Sequence, residues 1–525
     1  MTKTTRPRAL IRGLGVPGIA LTLAVPVTAV SATSGPSLAP YQRQHVHWAD
    51  CRQVWKDDVG AALARARVEC AQITVPLDYA RPDGRTIKIA LSRIRATDRT
   101  HRIGTLMLNR GGPGEPTLGM PVDTRRHMGK LAERYDIIGM DPRFVGHSTP
   151  LDCGWPVGLW IRSAGTDRAG FDRQTAFQKD LAERCGRRHG DVLPHVNTRN
   201  TARDMDIVRA VLGERRISYL GYSYGAYLGA VYTQLFPGRT DRVVLDSAVD
   251  PRRAGPGMLW GHEPALERAL HAWATWAAKR HGEYGLGASR SAVLTTVQQV
   301  VQAASVSPLR VGDYSLDEHV VPYLIYGGVG NDREEARASF SATMKVLNQA
   351  TSGDVVAPTP DLEGALSFLL NGENSRFASP AAAIICGDRA APRDPEVYWR
   401  DIERRRKRHP LFGPITSNLF PCAFWPQAPR EAPPAIGNAT PALIVAATGD
   451  TATTYRSSRA MHRHMSGSRL LTLRGTVAHG IYGEYGDPCV DKKVNAYLES
   501  GGLPAGNLTC PPHAASLTPR ANPPT

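Results

Sequence analysis

The chain has 525 residues, of which 42% are hydrophobic and 21% charged, and a formal net charge of +16. This length and mixture exclude a fibrous or disordered protein and a single minimal domain, and they allow a large core with an inserted segment. The basic residues are scattered and match no nucleic-acid-binding module, so we expect no nucleic-acid partner. The densest run, "RRRKRH" at 404–409, is typical of a solvated helical face, with a binding patch as the alternative.

Residues 1–32 predict a secretory signal peptide. Four basic residues precede the apolar run "LGVPGIALTLAVPVTAV", and "VSA" offers small residues for cleavage before Thr33. Pro17 and Pro26 interrupt the run, which falls short of the roughly 20 residues that a spanning helix needs. We therefore expect a secreted mature chain with a charge of +12 and no stable membrane insertion, a retained anchor being the alternative.

The eight cysteines suit an exported protein in an oxidising compartment. Pairing of neighbours along the chain suggests four local disulfides: Cys51–Cys70, Cys153–Cys185, Cys386–Cys422 and Cys489–Cys510. Other pairings and free buried thiols stay open. The chain contains neither a C-x-x-C motif nor a cysteine–histidine cluster, so we predict no metal site.

Short apolar segments alternate with helical ones along the chain. Seven of these segments predict strands: 86–94, 104–109, 135–141, 217–223, 242–247, 442–447 and 469–475. Their near-continuous apolar character is typical of strands that are covered on both faces, as in a parallel sheet with crossover helices. Residues 200–214 predict one such amphipathic helix. The fold class is therefore α/β, with a mostly parallel, doubly wound sheet.

The alternation stops after "LDSAVDP". From 251 to 435 the chain reads as helices and loops, most clearly at 265–279 and 394–409. This pattern predicts a helical cap over 251–435, inserted between an N-terminal core part at 33–250 and a C-terminal core part at 436–525.

The stretch "GYSYG" at 221–225 lies between a predicted strand and a helix that begins near Tyr224. A strand-to-helix turn this sharp needs Gly221 and Gly225, since larger side chains would collide with the neighbouring backbone. The turn exposes Ser223 at a helix N-terminus, where free amides favour negative charge. Ser223 is thus a candidate nucleophile, the alternative being a chance glycine turn.

A nucleophilic serine needs oxyanion donors, a base and an orienting acid. "RGGPG" at 110–114 follows an earlier strand and suggests the amide of Gly112 as one donor, with that of Tyr224 as the other; a simple glycine–proline turn is the alternative. In this arrangement the chain order is serine, acid, histidine, with the last two on loops after late strands. Asp450 and His479 fit that order, and Asp246 is the competing acid.

Several motifs in order carry a family resemblance: "NRGGPG", "YDIIGMDPRFVGHSTPLDC", "YLGYSYGAYLGAVYTQLFPGRTDRVVLDSAVDP", "TGD" and "AHGIYG". From about Trp48 to Cys510 the chain resembles the secreted tripeptidyl aminopeptidases of Streptomyces, serine exopeptidases related to prolyl aminopeptidases. The resemblance implies an α/β-hydrolase fold, a helical cap, a TAP-like C-terminal domain, no cofactor and peptide substrates cut from free N-termini. It also implies a triad of Ser223, Asp450 and His479.

An aminopeptidase needs acids that hold the substrate ammonium, and the sequence does not choose among Glu263, Asp388 and Glu115. Glu115 replaces a glycine that is common in relatives and is otherwise a solvated loop acid. The same triad would also suit a carboxylic ester hydrolase or lipase, whereas a non-catalytic binding protein would not need every catalytic position filled. Side-chain specificity, the number of residues released per cut and the oligomeric state stay open.

Overall fold

The computed structural model describes residues 37–512, and the predicted signal peptide lies outside them. The strands of this range are β1 (Ala49–Asp50), β2 (Glu69–Pro76), β3 (Thr86–Ile94), β4 (Gly104–Asn109), β5 (Tyr135–Met140), β6 (Ile217–Tyr222), β7 (Thr240–Asp246), β8 (Leu309–Val311), β9 (Tyr314–Leu316), β10 (Ala442–Ala447), β11 (Ser468–Leu473) and β12 (Leu508–Cys510). All seven strands predicted from the sequence are present, with bounds that agree to within two residues.

Ten of these strands form one sheet in the order β1-β2-β3-β5-β4-β6-β7-β10-β11-β12. The pairs β1–β2, β2–β3 and β3–β5 are antiparallel. The six remaining pairs, from β5–β4 to β11–β12, are parallel. Strands β8 and β9 form a separate antiparallel hairpin. The prediction of a mostly parallel sheet is confirmed.

The α-helices within the described range are α1 (Ala39–Gln42), α2 (Cys51–Val54), α3 (Asp58–Arg65), α4 (Met120–Met128), α5 (Arg168–His189), α6 (Thr198–Val211), α7 (Tyr224–Leu235), α8 (Glu263–Ala278), α9 (His281–Tyr284), α10 (Arg290–Val306), α11 (Val321–Gly328), α12 (Glu334–Gln349), α13 (Pro360–Leu370), α14 (Ser375–Asp388), α15 (Pro395–Arg406), α16 (Gly413–Thr416), α17 (Tyr455–His464) and α18 (Pro488–Ser500). None of them combines the length and the apolar character that crossing a bilayer requires.

Both faces of the sheet are buried. Val243 and Leu245 of β7 join one apolar cluster with residues of α6, α7 and α17, while Val244, between them, joins a second cluster with residues of α4 and α18. Successive side chains of a strand point to opposite faces, so a strand buried on both sides must be apolar throughout. This is the physical origin of the continuous apolar segments in the sequence.

The segment between β7 and β10, residues 247–441, contains helices α8 to α16 and the β8–β9 hairpin. We call it the β7–β10 insertion. Many of its buried apolar residues, among them Leu266 and Ile384, belong to the same cluster as α6 and α7, so it packs directly on one layer of the core. It brings α14 and the loop before α8 towards the carboxyl ends of the central strands.

The structure contains four disulfides, and the predicted pairing of sequence neighbours is confirmed: Cys51–Cys70, Cys153–Cys185, Cys386–Cys422 and Cys489–Cys510. Each closes a loop of 19 to 36 residues, so each fastens one local part of the fold. The pair Cys386–Cys422 lies inside the β7–β10 insertion.

Candidate active site

Ser223 occupies the turn between β6 and α7. Its φ of 56° and ψ of −120° lie in a region that a non-glycine residue seldom adopts, and such strain tends to occur at functional sites. A Cβ on Gly221 would lie 2.5 Å from the carbonyl oxygen of Gly225, and one on Gly225 would lie 2.6 Å from that of Asn109. The serine is half-buried and its side chain does not cap α7, so its hydroxyl is free for another role.

The loop after β4 presses against this turn. A Cβ on Gly111 would lie 3.2 Å from the Cβ of Ser223, and the amide of Gly111 donates to the Asn109 side chain at 3.1 Å. The amides of Gly112 and Tyr224 have no hydrogen-bond partner within residues 37–512. Of the two adjacent glycines, Gly112 therefore has the free amide, and Gly111 provides the close approach.

Asp450 and His479 meet on the loops that follow β10 and β11. The His479 Nδ1 atom lies 3.0 Å from Oδ2 and 3.2 Å from Oδ1 of Asp450, whose side chain is 1% exposed. Asp450 also accepts the amides of Ala452, at 2.8 Å, and Thr453, at 2.9 Å, and the hydroxyl of Thr453 at 2.8 Å. Burial alone would lower the pKa of His479, but the charge of Asp450 and its hydrogen bond outweigh burial and raise that pKa above 6.5.

Asp246, the competing acid, binds the histidine loop through its backbone. Its buried carboxylate accepts the amides of Ile481, at 3.0 Å, and Tyr482, at 2.7 Å, and the hydroxyl of Ser247 at 2.8 Å. The Ser247 hydroxyl also accepts the amide of Gly480 at 3.0 Å. Burial raises the pKa of Asp246 to about 7 against the opposing effect of these donors.

Asp246 and Ser247 also contact the other two loops of the site. The Ser223 amide donates to the Asp246 carbonyl at 2.9 Å, and the Thr453 hydroxyl lies 2.7 Å from the Ser247 carbonyl. Thr453 Oγ1 also lies 3.2 Å from His479 Nδ1. Residues 246 and 247 therefore join the serine turn, the acid loop and the histidine loop. The sequence signalled neither this junction nor the position of Thr453.

The two tyrosines of "GYSYG" point to different partners. The Tyr222 hydroxyl donates to the Tyr482 carbonyl at 2.7 Å, which holds the histidine loop beside the serine turn. The Tyr224 hydroxyl lies 2.6 Å from Thr198 Oγ1, at the start of α6. Each tyrosine thus fixes a separate wall of the site.

The predicted residues fall into two groups of contacts. Asp450 and His479 are hydrogen-bonded, and Gly111, next to Gly112, lies against the Ser223 turn. Within residues 37–512, Ser223 Oγ forms no hydrogen bond to the imidazole. Such bonds are often long without substrate and tighten in the reacting complex.

The three candidate ammonium-binding acids have different surroundings. Glu263 is 1% exposed and paired with Arg405 at 2.7 Å. Glu115 is half-buried, and partial burial raises the pKa of its carboxyl group. Asp388 is 8% exposed at the end of α14, and Thr198 donates to it. Glu263 is thus already neutralised, whereas the other two form no salt bridge within the described range, although Arg110 lies near Glu115 and Arg199 and Arg389 lie near Asp388.

Comparisons with known proteins give two family matches and several full-length relatives. A family described as alpha/beta hydrolase fold matches residues 104–280, and one described as TAP-like protein matches residues 409–510. The chain is 34% identical over 502 residues to a tripeptidyl aminopeptidase of Streptomyces coelicolor, covering 91% of this chain and 87% of that protein.

Two mycobacterial relatives are more distant. Serine protease Hip1 of Mycobacterium tuberculosis is 29% identical over 506 residues, covering 90% of this chain and 92% of that protein. Carboxylesterase B of the same organism is 29% identical over 497 residues, covering 91% of each. Relatives over nearly the whole chain therefore include proteins named as peptidases and one named as an esterase.

Proposed function

This chain belongs to the tripeptidyl aminopeptidase family of α/β hydrolases, and we propose on that premise that it releases tripeptides from the free N-termini of peptides. We propose that it does so outside the cell, after cleavage of its signal peptide. The four disulfides support an oxidising destination. The β7–β10 insertion would act as the predicted cap at 251–435.

The observation that carries the proposal is the Asp450–His479 pair beside the Ser223 turn. In the proposed reaction, His479 Nε2 takes the Ser223 proton while the hydroxyl oxygen attacks the carbonyl carbon of the scissile peptide bond. The tetrahedral intermediate collapses when His479 protonates the leaving amine. Water then hydrolyses the acyl-enzyme with His479 again as base, and Asp450 holds the imidazole tautomer and stabilises the imidazolium.

The amides of Gly112 and Tyr224 are the proposed oxyanion donors. Both are unpartnered within residues 37–512, and both belong to segments in contact with or adjoining Ser223. A donor of this kind stabilises the transition state by about 3–4 kcal/mol, because it is already oriented towards the developing negative charge.

The direct test is Ser223→Ala. We expect the variant to lose at least about 10⁴-fold in kcat on a tripeptide anilide, because the nucleophile is gone while binding groups remain. Wild type should label with a fluorophosphonate at Ser223, and the variant should not. Wild type that neither labels nor cleaves would contradict a serine hydrolase of any kind.

Ester hydrolysis is the second candidate, and the similarity to carboxylesterase B favours it. A digest of a peptide library, read by mass spectrometry, separates the two. We expect tripeptides cut from free N-termini and little product from N-acetylated peptides. Rapid hydrolysis of a short acyl ester with no peptide cleavage would favour the esterase instead.

A further inference from the structure

A small pocket adjoins the proposed oxyanion loop and the residue that follows the nucleophile. Its walls include Pro113 and Tyr224 from the core and Met258 and Ile385 from the β7–β10 insertion, and its cavity volume of about 10 Å³ is roughly the space of one water-sized group. Asp388 is the only charged residue among the described residues that line it. The pocket is thus an apolar recess with a single acid.

We propose that Asp388 binds the α-ammonium group of the substrate's N-terminal residue. The proposal rests on the proposed exopeptidase function and names the group that would restrict that function to free N-termini. Its ligand class is a primary ammonium on a short peptide.

The first argument is the unpaired charge of Asp388. Its carboxylate accepts the amide of Thr198 at 2.7 Å and the hydroxyl of the same residue, and within residues 37–512 it pairs with no Lys, Arg or His side chain. The nearby Arg199 and Arg389 donate instead to backbone carbonyls, at 2.8 and 3.0 Å. A buried carboxylate without a cation is costly, and a bound ammonium would supply that cation.

The second argument is a polar group in the same pocket that has no partner. The hydroxyl of Tyr227, a residue 1% exposed, forms no hydrogen bond within the described range, although buried polar groups are normally paired. An ammonium has three N–H donors. Asp388 and Tyr227 would provide two acceptors from different elements, α14 and α7.

The third argument is distance along the substrate. In a tripeptide the α-ammonium is three residues from the scissile carbonyl, a span of up to about 10 Å. The side chain of Tyr224 and the hydroxyl of Thr198 connect the serine turn to Asp388. The Tyr224 hydroxyl lies 2.6 Å from Thr198 Oγ1, and Thr198 donates to Asp388. These contacts link Asp388 to the serine turn, and the proposal requires their separation to fall within the span of a tripeptide.

Close backbone contacts fix the position of α14, which ends at Asp388. A Cβ on Gly114 of the oxyanion loop would lie 2.8 Å from the Cβ of Ala381, and one on Gly387 would lie 2.1 Å from the carbonyl oxygen of Val196. The helix is thus held against both the oxyanion loop and the segment before α6. Asp388 is presented from a rigid element, as accurate recognition of one end of a substrate requires.

The test compares three substrates: a tripeptide anilide with a free N-terminus, its N-acetylated form and a short acyl ester. We expect Asp388→Asn to raise KM for the free anilide by about 10- to 100-fold, the usual effect of losing a hydrogen bond to a charged group. Turnover of the other two substrates should stay within about twofold, because neither carries an ammonium.

Tyr227→Phe is the second variant. It removes an unpartnered hydroxyl, so the fold should be unaffected, and we expect a rise of about threefold in KM for the free anilide alone. Glu263→Gln is the matched control, a buried acid of the same insertion that Arg405 already neutralises. It should keep the wild-type preference for a free N-terminus.

Three results would overturn the proposal. The first is that Asp388→Asn keeps the wild-type preference for a free N-terminus. The second is that Glu115→Gln loses this preference while Asp388→Asn keeps it. The third is an equal loss on all three substrates together with slower fluorophosphonate labelling, which would mark damage to the reacting groups. If Asp388→Asn does not fold, an unchanged preference in Tyr227→Phe decides against the proposal. Failure of the exopeptidase function would look different, since wild type itself would leave the free anilide uncut.

Discussion

In the proposed mechanism, the imidazole of His479 must be neutral before it can accept the Ser223 proton. The charge of Asp450 and its hydrogen bond hold the pKa of that imidazole above 6.5. We therefore expect kcat/KM of the wild type to fall with acid below a pKa higher than 6.5, because the base becomes protonated.

Asp450→Asn should move this acid limb to lower pH, since the amide no longer favours imidazolium, and should reduce kcat by about 10⁴-fold because the tautomer is no longer held. Asp180→Asn is the control, because that exposed carboxylate only pairs with Arg184 on α5. A pH–rate profile of the three proteins checks this. An unchanged limb in Asp450→Asn would show that another acid orients the base.

Among single residues, the sequence was most informative where a motif constrains the backbone. The strand-to-helix turn at Ser223 could be predicted because glycines two residues away on both sides suit few other local structures. Asp450 and His479 followed from their order after late strands. The structural role of Asp246 was not predictable, because nothing in "VVLDSAVD" indicates that this carboxylate accepts the amides of Ile481 and Tyr482.

Among secondary-structure elements, the loop after β11 depends on Asp246 at the end of β7. The carboxylate accepts two backbone amides and one hydroxyl at once, which a carboxamide cannot do, because it has only one acceptor oxygen. We expect Asp246→Asn to lower kcat by about 10- to 100-fold with KM within about twofold, and to lower the free energy of unfolding by about 1–3 kcal/mol.

Kinetics on the free tripeptide anilide and denaturant unfolding measure both effects. Asp250→Asn is a suitable comparison, because its carboxylate in the same turn region pairs with the exposed Arg252. It should leave kcat unchanged. A normal kcat in Asp246→Asn would mean that packing alone holds the histidine loop.

Elements buried on both faces were predictable from their apolar runs, and elements at the margins were not. β2 is interrupted by the half-buried Glu69 and Thr74 and the exposed Gln72, so its pattern differs from that of the central strands. It pairs antiparallel with both β1 and β3, and this pairing, rather than an apolar run, marks the segment as a strand. β8, β9 and β12 have three residues each, too few for any periodicity.

Over the whole molecule, the proposed catalytic and substrate-recognition groups come from different parts of the chain. The proposed triad lies on loops of the sheet, whereas Asp388 belongs to the β7–β10 insertion. Their relative position depends on how firmly α14 is attached. One of the four disulfides, Cys386–Cys422, ties this helix to the short turn at 421–424. Cys386 lies two residues before Asp388 along the chain.

Removing single disulfides should separate overall stability from substrate recognition. Cys386–Cys422 and Cys489–Cys510 close loops of 36 and 21 residues, and loss of either should lower the free energy of unfolding by a similar amount, about 3–4 kcal/mol. Only the first fastens α14, so only the paired substitution Cys386→Ser with Cys422→Ser should also raise KM for the free tripeptide anilide. The pair Cys489→Ser with Cys510→Ser, which releases β12 from α18, is the matched control and should retain the wild-type KM. Thermal unfolding together with kinetics on both proteins tests this, and equal KM values despite equal destabilisation would mean that packing alone positions Asp388.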